Sequence, residues 1–98
     1  MTTEPVFSKP VLVIQADLFN SSRIGTILVA AITSNLHIAE TPGNVRLTRR
    51  QSNLTRESVA NVSQVITLDR GFLGEKVGQI TQAQMNKVNA GLRLALAL

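Results

Sequence analysis

Residues 10–35 read PVLVIQADLFNSSRIGTILVAAITSN, and the fold depends on how this stretch divides. Val11 to Gln15 is a short run of β-branched and aliphatic residues. Thr26 to Thr33, TILVAAIT, is a second such run, ending in the polar cluster Thr33-Ser34-Asn35. Runs of this kind, bounded by turn-forming residues, read as strands. Between them, Asp17 to Gly25 carries Asn, two Ser and Gly, residues that accept the tight conformations of loops. The stretch is therefore expected to form a long-looped antiparallel hairpin with both strands facing a core. Lys9 precedes the first strand and Thr33 ends the second, so the two would meet at one end of the sheet. Chemistry is expected there.

Outward from the hairpin the signals weaken. Met1 to Lys9 is polar, and Pro10 biases Lys9 toward an extended backbone while offering no amide donor. Leu36 to Gly43 ends in a Pro-Gly turn signal. Asn44 to Leu47 alternates, with Val45 and Leu47 expected inward and Arg46 outward. Thr48 to Thr55 reads as a loop. Glu57 to Val62 and Gln64 to Leu68 read as two strand segments, and Phe72 to Val77 as a short helical turn. Thr81 and Gln84 have capping-box spacing, in which each side chain satisfies an amide donor. The helix they open is expected to run to about Ala97, with Met85, Val88, Leu92 and Leu96 along one stripe. Gly91 inside it costs roughly 1 kcal/mol against Ala and marks a close contact. Leu92, Leu94, Leu96 and Leu98 leave apolar surface beyond the stripe, which suits a helix packed on a sheet or at a dimer interface. Several strands followed by one terminal helix define an α+β domain: a small antiparallel barrel closed by the helix.

With 98 residues the chain forms one domain, spanning 1–98. A chain of that length buries only roughly 60–65 % of its unfolded surface, so dimerisation would add stability. No apolar run approaches the length of a transmembrane helix, and no membrane association is expected. The absence of Cys excludes disulfides and thiolate chemistry, and a cytoplasmic location is expected. The formal charge of +4 favours a polyanionic partner. Of the ten Lys and Arg residues, Arg46, Arg49, Arg50 and Arg56 fall between Asn44 and Arg56 with no acid among them. That run suits phosphate contact as well as a solvated loop.

The usual enzymatic constellations are missing. His37 is the one His, so neither a zinc site nor a Ser-His-Asp triad is supported, and no metal or cofactor is expected. No spacing singles out two of the six carboxylates Glu4, Asp17, Glu40, Glu57, Asp69 and Glu75 as a glycosidase pair. There is no P-loop and no GxGxxG motif. Three Phe with no Tyr or Trp make a thin base-stacking platform. Lys, Thr, Ser and Asn near strand ends suit a phosphoryl transfer in which RNA supplies its own 2′-hydroxyl nucleophile. Composition leaves this as one possibility among several.

The segments PVLVIQADLFN, VAAITSN, PGNV and SVANVSQVITLD, followed by a helix ending in GLRLALAL, resemble in order the MazF/PemK family of toxin endoribonucleases. The likeness runs from Glu4 to Leu98. It implies an SH3-like β-barrel with a C-terminal helix, acting as a homodimer. It implies sequence-specific, metal-independent cleavage of single-stranded RNA by 2′-hydroxyl transesterification, leaving a 2′,3′-cyclic phosphate and a 5′-hydroxyl. It also implies neutralisation by a cognate antitoxin with an acidic tail. By the same likeness the catalytic positions fall on Lys9 and Thr33. RNA-binding positions fall on Glu4, Asn61, Ser63 and Gln64, with Ser34 and Asn35 beside Thr33, and the basic loop adds Arg49 and Arg50.

Two departures stand out. Lys9 occupies a position where the family usually carries Arg, exchanging a planar fork for a point charge that releases a proton more readily. The family usually opens with a further, aromatic-rich strand and a loop; this chain begins within that loop, so a member lacking the usual first strand is expected, with an exposed sheet edge. The alternative is a catalytically weakened member that binds antitoxin or nucleic acid.

Overall fold

The computed structural model describes residues 2–6, 9–14, 25–74 and 76–98, and the side chains of these except at 2–6, 9 and 51. The expected loop at 17–24, the strand end at Gln15, and the carboxylates Asp17 and Glu75 lie outside the described residues. Six strands form one antiparallel sheet: β1 (Thr2–Val6), β2 (Lys9–Val13), β3 (Thr26–Thr33), β4 (Val45–Leu47), β5 (Ser58–Asp69) and β6 (Gly78–Gln79). Their order across the sheet is β4-β5-β3-β2-β1-β6. A one-turn helix, α1 (Arg49–Ser52), follows β4, and the long helix α2 (Gln82–Leu96) ends the chain. The sheet curls until its two ends meet. The Asn53 side-chain amide, just past α1, donates to the Val77 carbonyl at 2.8 Å, and a Cβ on Gly78 would lie 2.7 Å from the Ser52 carbonyl. The architecture is the expected small antiparallel barrel with a C-terminal helix.

Val11, Leu12 and Val13 are all buried because both faces of β2 are covered. On one face Leu12, Ala30, Ile32, Val45, Leu47, Ala60 and Val62 pack against Ile80 and Val88 from the helical end of the chain. On the other, Val11, Val13, Ile27 and Val29 pack with Leu68 and Leu73. Arg46 alternates outward between buried Val45 and Leu47, as expected.

Several boundaries differ from the sequence reading. The polar N-terminal stretch contributes β1, which pairs with β2 in the register Glu4↔Val11, Pro5↔Pro10 and Val6↔Lys9. Pairing with β2 at four positions outweighs the poor strand propensity of Thr-Thr-Glu-Pro. Leu36–Glu40, including His37, is a 3₁₀ turn capped by Asn35. The loop expected over 48–55 contains α1, and the turn expected over 72–77 lies earlier, as a 3₁₀ turn at Arg70–Phe72. The two segments expected around Ser63 are one strand, β5, with a bulge. Ala30 pairs with Val65 while Ala31 pairs with Asn61, so residues 62–64 are set out of the ladder.

Side chains replace the lost ladder bonds. The Asn61 Oδ1 accepts from the Ser63 amide at 3.2 Å and the Ser63 hydroxyl at 2.7 Å. Asn44 Oδ1 accepts from the Val62 amide at 3.0 Å, and its Nδ2 donates to the Ile38 carbonyl at 2.9 Å. Asn44→Ala strands both groups in a part-buried place, and is expected to cost about 2–3 kcal/mol. Urea unfolding with a lower midpoint and unchanged slope is the expected result; an unchanged midpoint would remove Asn44 from this role.

Helix α2 has the expected limits, with Thr81 as N-cap and Ala97 as a left-handed C-cap. The capping box is half formed. Thr81 Oγ1 accepts from the Gln84 amide at 3.2 Å, but Gln84 is buried and its Oε1 lacks a partner. The apolar stripe holds at Met85, Val88 and Leu92, whereas Leu96 is 58 % exposed. None of the described helices is long and apolar enough to cross a membrane.

Candidate functional site

At the end of β3 the backbone turns, and Thr33 and Asn35 build the turn from their own side chains. Thr33 Oγ1 accepts from the Asn35 amide at 3.1 Å. Asn35 Oδ1 in turn accepts from the His37 amide at 3.2 Å, capping the 3₁₀ turn. Short polar side chains bond to nearby backbone in this way and end regular structure. The Thr33 hydroxyl is thus held through its oxygen, leaving its proton to be donated.

Thr33 and Ser34 border a cleft of about 570 Å³. Its other walls are Pro10 from β2 and the segment from Asn53 to Ser58. That segment is held at several points. Buried Ser52 donates through its hydroxyl to the Thr48 carbonyl at 2.8 Å and accepts from the Leu54 amide. Asn53 takes a left-handed φ of 58°, tolerable for Asn, and reaches Val77. Ser58 donates to the Arg56 carbonyl at 3.1 Å. The segment thereby sets Thr55 and Arg56 on the cleft that Thr33 also lines.

Lys9 reaches the same end of the sheet. β2 and β3 pair as Val11↔Ala31, Leu12↔Ala30 and Val13↔Val29. Continuing that register by two residues sets Lys9 opposite Thr33. Glu4 lies one strand further out, opposite Val11.

The remaining expected site residues are elsewhere. Asn35 Oδ1 serves the cap, and the residue does not line the cleft. Asn61 is buried in the β5 bulge, beside exposed Ser63 and Gln64, and none of the three lines the cleft. Arg49 and Arg50 are exposed on α1, also off the cleft. Asn53, Thr55, Arg56 and Ser58 are cleft residues that sequence reasoning did not place there. Arg56 alone carried a signal, as the last member of the basic run.

Both the sequence and the fold match known proteins. The profile of the family described as "PemK-like, MazF-like toxin of type II toxin-antitoxin system" matches residues 2–96. Over 96 residues the chain is 43 % identical to Endoribonuclease MazF2 of Mycobacterium bovis, covering 98 % of this chain and 84 % of that protein. Over 90 residues it is 36 % identical to Endoribonuclease EndoA of Bacillus subtilis, covering 92 % and 77 %. Among solved structures, Mycobacterium tuberculosis toxin MazF-mt6 superposes with a TM-score of 0.88 at 18 % identity, covering 100 % of this chain and 98 % of that one. An endoribonuclease in complex with its cognate antitoxin from a mycobacterial species superposes with a TM-score of 0.80 at 23 % identity, covering 99 % and 90 %. The chain belongs to the PemK-like, MazF-like toxin family of type II toxin–antitoxin systems.

Proposed function

We propose that this chain is an endoribonuclease toxin that cuts single-stranded RNA without a metal ion and is neutralised by a cognate antitoxin. The observation that carries the reading is the cleft, where Thr33, Ser34 and Arg56 converge beside the strand position of Lys9. Relatives at 43 % and 36 % identity bear the name endoribonuclease, and a protein of the same fold is seen with its antitoxin. The net charge of +4 suits both polyanionic RNA and an acidic antitoxin segment.

In the proposed reaction the 2′-oxygen attacks the adjacent phosphorus, and its proton passes to solvent. The bond from phosphorus to the 5′-oxygen breaks. Lys9 protonates the departing oxygen, and Thr33 donates a hydrogen bond to the charge growing on the phosphorane. The products are a 2′,3′-cyclic phosphate and a 5′-hydroxyl. Exposed Leu94 and Leu96 on α2, with Leu98 just past its cap, support a homodimer, since a lone small domain gains by covering such surface.

Incubation with a long single-stranded RNA in excess EDTA is expected to give discrete fragments with cyclic phosphate ends. Lys9→Ala is expected to cut at least ~100-fold more slowly, as general-acid catalysis is typically worth 10²–10⁴. A parent protein that binds antitoxin tightly yet leaves RNA whole would sink the enzymatic reading. A Lys9→Ala variant as fast as the parent would remove Lys9 from the chemistry.

A further inference from the structure

The four arginines of the basic run part company in the structure. Arg46 lies 3.9 Å from Glu57, with both side chains about half exposed, a weak pairing. Arg49 and Arg50 sit on α1 and do not line the cleft. Arg56 alone lines the cleft with Thr33 and Ser34. Its sequence neighbour Glu57 is drawn toward Arg46, and among the described residues no carboxylate pairs with the Arg56 guanidinium. Its backbone is fixed by the Ser58 hydroxyl, three residues past the anchored Asn53. The result is a full positive charge, exposed to an incoming anion, on a wall whose backbone is held in place.

The chemistry at the cleft lacks one thing that Arg56 has. Charge on the phosphorane is shared by two non-bridging oxygens. A planar guanidinium meets both with parallel N–H donors, whereas an ammonium is a point charge. With Lys at position 9, no residue at the paired ends of β2 and β3 offers such a fork.

We propose that Arg56 is a catalytic residue whose guanidinium grips the two non-bridging oxygens of the scissile phosphate in the cleft that it lines with Thr33. The assignment rests on the ribonuclease reading above. Arg56 makes and breaks no covalent bond and moves no proton. It binds the dianionic phosphorane more tightly than the monoanionic diester, which is how a fixed charge accelerates the step.

The test compares the parent with Arg56→Ala and Arg56→Lys on one RNA, after mapping the parent's cut site. The same RNA with a 2′-deoxy nucleotide at that site cannot be cut and reports affinity alone. For Arg56→Ala, kcat is expected to fall ~10²–10³-fold, the usual loss for a deleted transition-state donor, with a smaller change in affinity for the deoxy RNA. Arg56→Lys is expected to recover only a minor part. Guanidinium chloride at a non-denaturing concentration is expected to speed Arg56→Ala, with equal sodium chloride as the control. A shared thermal midpoint confirms that the variants fold; should Arg56→Ala not fold, Arg56→Lys carries the comparison. If the parent cuts and Arg56→Ala cuts equally well, or if the whole loss lies in affinity, the proposal falls and the ribonuclease reading stands. If the parent itself cuts no RNA, both fall.

Discussion

Gly91→Ala is expected to destabilise the fold by about 3 kcal/mol or more, despite placing the best helix former in a helix interior. Gly91 is buried where α2 crosses the Pro-Gly turn. A Cβ there would overlap the Gly43 carbonyl oxygen and lie 2.9 Å from its carbon and 3.1 Å from its Cα. All three neighbours are backbone, so no side chain can rotate aside. Gly43 has a φ of 89°, a left-handed conformation that other residues resist. The next residue, Asn44, is tied to both β5 and the 3₁₀ turn. The turn therefore cannot yield, and the helix must lift Val88 and Leu92 away from the core that holds Val45 and Val62. A gain of about 1 kcal/mol in helix propensity does not offset that loss of packing. Urea unfolding measures the outcome; a variant as stable as the parent would mean that α2 does not seat on Gly43.

The same contact shows what the sequence could and could not disclose. Gly91 stood out as an unexplained cost in a helix, and its meaning depended on a turn nearly fifty residues away. β3, β4 and α2 were legible because periodicity, β-branching and the Thr81 cap agree with where each element is buried. β1 was not, because its pairing with β2 is a tertiary gain that polar Thr2-Thr3-Glu4-Pro5 does not advertise. Pro10 adds no amide, and the pairing of β2 with β3 begins one residue later, at Val11. The β5 bulge was half legible: polar Ser63 and Gln64 interrupted the pattern and read as a break between two strands. The strand in fact continues, because Asn44 and Asn61 bond the amides that leave the ladder.

The site followed the same division. A hairpin reading placed Thr33 and Lys9 at one end of the sheet, and strand register supports their juxtaposition. Arg56 belongs to the site through the path of the segment between α1 and β5, which no local pattern encodes. Arg49 and Arg50 looked equivalent to it in sequence, and α1 turns them elsewhere. Asn35 stood beside Thr33 in the sequence, and its oxygen serves the backbone of the turn that holds Thr33.

Thr33→Ala is expected to lower RNA cleavage ~10²–10³-fold, the scale of one deleted donor at a developing oxyanion, while the fold persists. Thr33 is only half buried, and its recorded bond accepts from the exposed Asn35 amide, which water can satisfy in its place. The structural cost is therefore about 1 kcal/mol or less. The catalytic cost is larger because the hydroxyl borders the cleft and keeps its proton free to donate to the developing charge. Thr33→Ser keeps that donor and is expected to retain most activity. Thr33→Val keeps the shape and loses the donor, and is expected to match Thr33→Ala. Groups that act on one transition state lose less together than the sum of their separate losses. The Thr33→Ala and Lys9→Ala double variant is therefore expected to be little slower than the worse single variant. Rapid cutting by Thr33→Val, with the thermal midpoint of the parent, would move the chemistry away from the end of β3.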